Sequence, residues 1–264
     1  MQFDSIVNVR DLGGLPAGGG IIRPGRLLRT AHLAEASGAD VRRLAEEYHL
    51  RKIFDFRTLS EASAMPDREI PGAEHILLPT LDQEAERATG DAVPAETWLD
   101  LPRQIVRLSF EERFQRKARE LYPSLVLSEF SQLQYAAFLN MILETPDGAV
   151  LWHCSQGKDR TGIGAAFLLG AVGADRETIV ADFDRSNTEY APLVQRLCRE
   201  VEAMGGGEKE KDVVRAFMGV STKNFCSTLD LIEKEWGSLQ GYLNELLGIT
   251  RTDMQVLQRR YIQL

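Results

Sequence analysis

Apolar positions along the chain follow two periods, and where one gives way to the other the order of elements can be read. Near the N-terminus short apolar runs alternate with turn residues: Gly13-Gly14 and Gly18-Gly19-Gly20 precede Ile21-Ile22, and Pro24-Gly25 precedes Leu27-Leu28. This pattern predicts a β-hairpin. From Asp40 the residues Val41, Leu44, Ala45 and Tyr48 fall at helical spacing, and Lys52-Ile53-Phe54-Asp55-Phe56 follows as a buried strand. A further short strand is expected at His75-Ile76-Leu77-Leu78. Phe130, Leu133, Ala137, Phe138 and Met141 mark a long amphipathic helix, ended by the turn Pro146-Asp147-Gly148. Ala149-Val150-Leu151-Trp152-His153 has no polar face before its final histidine, as a central strand covered by helices on both sides must. Thr161 to Val172 is nearly all small or apolar and predicts a buried helix closed by Gly173.

The remainder reads as helical, with helices after the N-cap Asp175, around Phe225 to Trp236, around Leu239 to Leu247, and after Thr250, for which Asp253 is the capping-box partner. Met204 to Lys211, three glycines followed by charges, reads as a solvated loop between helices. Strands lie early and centrally and helices late. The fold class is therefore α/β, a central mostly parallel sheet flanked by helices, with a helical C-terminal part. No fixed-period repeat is present, and the chain is taken as one domain, 1–264. Residues 82 to 122 depart from the pattern: rich in charge, with bases at Arg103, Arg107, Arg113, Arg116, Lys117 and Arg119, they read as a helical insertion, either a solvated face or a lid over the site.

Composition narrows the function classes. The 264 residues carry 39 acidic and 31 basic side chains, a net charge of −8, which argues against a nucleic-acid partner gripped by the overall field. An anionic substrate must then be attracted locally. No apolar run approaches the ~20 residues of a membrane span, and Met1-Gln2-Phe3-Asp4 lacks the order of a signal peptide, so a cytoplasmic protein without integral membrane association is expected. Cys154, Cys198 and Cys226 are too few and too dispersed for a disulfide framework. His32, His49, His75 and His153 show no metal-ligand spacing, so neither metal nor cofactor is expected.

One segment carries chemistry: His153-Cys154-Ser155-Gln156-Gly157-Lys158-Asp159-Arg160-Thr161-Gly162, lying where a strand ends and a helix begins. Backbone N–H groups of Ser155 through Arg160, with the helix N-terminus beneath them, form a bowl suited to a tetrahedral oxyanion. Cys154 lies at its floor, and Arg160 reaches back with a planar fork that matches two phosphate oxygens. A Walker loop is disfavoured, because Gly157-Lys158 is followed by Asp159 where Ser or Thr is needed. Cys198 and Cys226, with Met204 and Ile232 six residues on, read as small hydrophobes on helix faces.

The string resembles the signature H-C-x5-R-T of the cysteine-dependent protein-tyrosine and dual-specificity phosphatases, and most closely their atypical bacterial branch, similar to tyrosine phosphatase B. The likeness extends to Asn8-Val9-Arg10-Asp11-Leu12-Gly13-Gly14, to Asp55-Phe56-Arg57-Thr58 with Glu61, and to Asp182-Phe183-Asp184-Arg185-Ser186-Asn187. It implies metal-independent hydrolysis of phosphate monoesters, phosphotyrosine by default, with phosphoserine or phosphothreonine and phosphoinositides as alternatives. It also leaves unconventional secretion open. A phosphate-binding module without turnover is the reading from another class. By resemblance Cys154 is the nucleophile, Arg160 the oxyanion clamp and Thr161 the hydroxyl that eases departure of the sulfur. Asp159 is the first choice of general acid, with Asp82 second and Asp55, which is also suited to orienting Arg57, third. His153 is expected to brace the loop from the core. Lys158 is read as a rim cation, favouring a second phosphate or simply solvated. Arg10, Asp11, Arg57 and Asn187 either line the site or brace it.

Overall fold

The computed structural model describes residues 3–82, 120–145 and 147–264. Its elements are β1 (Arg10–Asp11), β2 (Pro16–Ala17), β3 (Gly20–Ile22), β4 (Leu27–Thr30), α1 (Gly38–Arg42, continued by a π-helical turn Arg43–Glu47), β5 (Leu50–Asp55), α2 (Leu59–Ala64) and β6 (Glu74–Leu77). A helical stretch at 120–127, α3, then leads to α4 (Glu129–Leu143), β7 (Ala149–His153), α5 (Asp159–Ala171), α6 (Arg176–Ala203), α7 (Glu208–Met218), α8 (Thr222–Trp236), α9 (Leu239–Glu245), α10 (Arg251–Tyr261) and β8 (Ile262–Gln263).

Five strands form the main sheet in the order β1-β4-β7-β5-β6, and every pairing but β1 with β4 is parallel. All five residues of β7 are buried, because the strand has a neighbour on each edge and a layer on each face. Its side chains alternate between the faces. Val150 and Trp152 join the larger core with Phe54, Phe138 and Phe167, while Ala149 and Leu151 pack with Leu28, Leu44 and Ile53. The C-terminal end of this central strand delivers the loop at 154–158.

The N-terminal hairpin is β2 with β3, turned by Gly18 and Gly19 at φ 57° and 81°, angles a two-residue hairpin turn requires. The C-terminal part is not wholly helical as the periodicity predicts: β8 pairs antiparallel with β3, Ile22 opposite Ile262, and closes a second, three-stranded sheet. A two-residue strand is too short to show any period. A second correction falls on Glu208 to Lys211, which are the first turn of α7 rather than loop; the Glu210 carboxylate accepts from Gly207 N at 2.8 Å, ending the loop there. Most of the expected insertion, 83–119 with its basic run, lies outside the described residues. Cys198 and Cys226 are free thiols on α6 and α8.

Candidate active site

The loop at 154–158 is shaped by close backbone approach. Gly157 has φ 63°, and a Cβ there would lie 2.0 Å from Thr30 O, so only glycine lets the loop pack on β4. Asn8 donates from Nδ2 to Gln156 O and Gly157 O at 3.1 and 2.9 Å, and Arg29 Nη2 donates to Gly157 O and Lys158 O at 3.0 and 3.2 Å. With these carbonyls drawn backwards, successive N–H groups are turned towards the bowl above the N-terminus of α5.

Cys154 sits at the strand end, 3% exposed. Burial alone would raise its pKa, but the charge of Arg160 and hydrogen bonds from the Thr161 side chain and backbone outweigh burial and bring it below the ordinary thiol value. The Thr161 hydroxyl is itself buried, and its influence on the thiol is to favour the ionised sulfur.

Arg160 is held by a residue that the sequence reading did not place in the site. Glu61 receives it end-on, Nη1 to Oε2 at 2.6 Å and Nη2 to Oε1 at 2.7 Å, and Ser155 Oγ donates to Glu61 Oε1 at 2.6 Å. Glu61 is also the third residue of α2, where it completes a capping box with Thr58. The motif Thr58-x-x-Glu61 was therefore legible as a helix start, but the partner of its carboxylate was not. Burial opposes ionisation of Glu61, yet Arg160 and the hydrogen bonds lower its pKa to about 2.

Behind the loop lies a buried polar layer. Arg29 pairs with Asp182 at 2.5 Å and Arg10 with Asp182 at 3.3 Å; Arg10 also donates to Asn8 Oδ1 and Ser186 Oγ, and Tyr190 Oη donates to Gln156 O at 2.8 Å. Arg10 thus braces the loop through Asn8. Asp11 does neither of the things expected of it: its carboxylate accepts from Gly13 N and Gly25 N and holds the turns flanking the hairpin. Asn187 binds both N and O of Val220, between α7 and α8.

His153 points to the opposite face from Trp152 and is fully buried. Its Nδ1 lies 3.3 Å from Cys154 O and its Nε2 3.1 Å from Asp67, which also meets His75 at 3.0 Å and Arg57 at 2.7 Å. Burial would suppress the charge on His153, but Asp55 and Asp67 overcome it and raise the pKa. Asp55, Asp67, His75 and His153 bring potential ligand atoms within 4.8 Å of one another. Arg57 lies between the two carboxylates, engaging Asp55 through both oxygens and Asp67 through Oδ2, so the group is an ion-paired brace beneath the loop. The same saturation corrects Asp55 as an acid candidate, since neither oxygen is left for a leaving group.

Lys158 is not a rim cation. It is 6% exposed, and its Nζ donates to Phe217 O and Gly219 O, tying the loop to the end of α7. Desolvation lowers its pKa against the attraction of Asp159 and Cys154. Asp159 opens α5, half-buried, and accepts a hydrogen bond from Tyr122 Oη at 2.7 Å. Asp82, also half-buried, is the last described residue before 83–119.

The geometry is therefore a lowered-pKa thiol, a fixed guanidinium and a carboxyl group around one oxyanion bowl, on a parallel sheet. The model of the tyrosine phosphatase family matches residues 1–263. The chain belongs to that family. It is a phosphatase, a hydrolase, and phosphocysteine chemistry is general to its relatives. It is 30% identical to a protein of Cupriavidus necator that bears the name putative tyrosine-protein phosphatase, over 99% of this chain and 88% of that protein. It is 29% identical to the triple specificity protein phosphatase PtpB of Mycobacterium tuberculosis, over 85% of this chain and 86% of that protein. A tyrosine-protein phosphatase of Nostoc commune is 30% identical over 49% of this chain and 45% of that protein. Among the described residues no helix is long and apolar enough to cross a membrane.

Proposed function

We propose that this phosphatase acts on phosphorylated proteins, phosphotyrosine foremost, with Cys154, Arg160 and Asp159 as its catalytic residues. The observation that carries the reading is the end-on clamp of Glu61 on Arg160, which holds the guanidinium rigidly beside a thiol whose pKa is lowered. The Cys154 sulfur attacks phosphorus, the leaving oxygen takes a proton from Asp159, and a phosphocysteine forms. Water then attacks the phosphorus, giving its proton to Asp159, and the sulfur departs as a thiolate stabilised by Thr161. Arg160 and the amides of 155–160 stabilise the equatorial oxygens in both steps. No step calls for a metal.

A broader substrate range is the second reading, supported by the relative whose name records three specificities. Phosphoserine, phosphothreonine and phosphoinositides then join phosphotyrosine as substrates. A reducing, cytoplasmic setting suits a nucleophile that must remain a thiol beside free Cys198 and Cys226. A binding module without turnover would have no use for a sulfur so activated.

The test is hydrolysis of an aryl phosphate by wild type and Cys154→Ser, with and without chelator, followed by a panel of phosphotyrosine, phosphoserine and phosphoinositide substrates. Loss of turnover in Cys154→Ser, with trapping of phosphoenzyme in wild type, is expected. Activity surviving the substitution would sink the mechanism, and loss on chelation would contradict its independence of metal.

A further inference from the structure

Asp159 must do more than be near the leaving group. A carboxyl group rotates about a soft two-fold torsion and can carry its proton on either oxygen, so half its orientations present no proton unless something fixes it. The residues around it supply such a constraint. Tyr122 Oη donates to Oδ1 at 2.7 Å and accepts from Ser221 N at 3.3 Å. The phenol cannot swing away, because its ring is buried edge-on against Phe183 and Phe225, at centroid distances of 5.4 and 6.4 Å, and those two rings stack on each other at 3.8 Å. The other oxygen, Oδ2, is the one nearer Lys158 Nζ, at 3.9 Å.

Both constraints are anchored in one strip, residues 217–221, between α7 and α8. Lys158 Nζ donates to Phe217 O and Gly219 O, Tyr122 is engaged by Ser221 N, and Asn187 holds Val220 through its N and O. The strip itself has little freedom, since a Cβ on Gly219 would lie 2.8 Å from both Arg215 O and Asn187 Oδ1.

We infer that Tyr122 is the positioning residue of the general acid, its phenol occupying Asp159 Oδ1 so that Oδ2 is the oxygen that gives and takes the catalytic proton. This rests on the reading of Asp159 as the acid. Burial, and next to it the charge of Asp159, push the phenol pKa well above its usual value, so Tyr122 stays a donor throughout the working range of pH. The role extends the site to α3, from a residue outside every motif of the family string.

Tyr122→Phe keeps the ring and removes the hydroxyl. Expected is a loss of about tenfold in kcat/KM on phosphate esters with poor leaving groups and little change on activated aryl esters, hence a steeper dependence on leaving-group pKa. In an Asp159→Asn background the same change should cost nothing further, because the proton it positions is gone. Equal loss on both ester classes, or losses that multiply in the double variant, would overturn the inference by showing a structural role. A leaving-group dependence in Asp159→Asn with a silent Tyr122→Phe overturns the inference alone. An Asp159→Asn variant without leaving-group dependence overturns the acid assignment first and this inference with it.

Discussion

Glu61 grips Arg160 end-on, with its two oxygens 2.6 and 2.7 Å from Nη1 and Nη2, across 99 residues of sequence. The pair joins the first turn of α2 to the first turn of α5 and fixes the plane of the guanidinium before any phosphate arrives. Preorganisation of this kind counts for more than the attraction of the pair itself, because the fork must meet the transition state without reorienting.

Glu61→Gln should therefore lower kcat/KM by about tenfold to a hundredfold, with KM rising as the guanidinium loses its support. Steady-state kinetics on an aryl phosphate checks this, and unchanged constants would remove Glu61 from the site. The substitution should also alter acid stability. Glu61 has a folded pKa of about 2 against an ordinary 4.5, so the unfolded chain binds the extra proton between those values. Its contribution is present above about pH 4.5 and is lost as pH falls towards 2. Chemical denaturation of wild type and Glu61→Gln should show their difference shrinking across that window.

Thr161→Val keeps the volume of the buried side chain and deletes the hydroxyl that serves the sulfur. The Cys154 pKa should rise towards the ordinary thiol value, moving the acid limb of the kcat/KM profile to higher pH. Thiol alkylation rates across pH report the same ionisation independently of turnover.

Gly157→Ala should be tolerated poorly for a steric reason confined to one atom. The new Cβ would lie 2.0 Å from Thr30 O at φ 63°, so the loop must lift off β4. A displacement of that kind costs about a hundredfold in rate, together with roughly 1–3 kcal/mol of stability from backbone strain. Wild-type activity in this variant would mean that the bowl does not depend on contact with β4.

Asp182→Asn breaks a buried pairing with Arg29 and Arg10, leaving two guanidinium groups without their counter-charge. A loss of about 3–5 kcal/mol is expected, measurable as a drop in the denaturation midpoint. Because Arg10 and Arg29 reach the loop through Asn8 and through the carbonyls of Gly157 and Lys158, activity should fall before the fold melts.

Elements with strong local periods, and chemistry packed into consecutive residues, were legible in the chain before any fold was known. The five-residue apolar run of β7, the small-residue helix α5 and the string from His153 to Gly162 are local features, so the strand, loop and helix N-terminus were legible together, and with them Cys154 and Arg160. Asp55 with Arg57 was legible too, as neighbours two residues apart. Tertiary structure decided whatever depends on which strand lies beside which. Lys158 reads as a rim cation until α7 packs against it, and Asp11 reads as a site residue until its carboxylate is seen closing turns. Glu61 belongs by sequence only to the family-like stretch after β5, and the parallel register of β5 with β7, Asp55 opposite His153, brings the end of one strand to the loop of the other. Tyr122 and Asp67 carry no local signal at all. Their roles arise from contacts 37 and 86 residues away in the chain, to Asp159 and to His153 respectively, and no pattern over a few residues encodes such contacts.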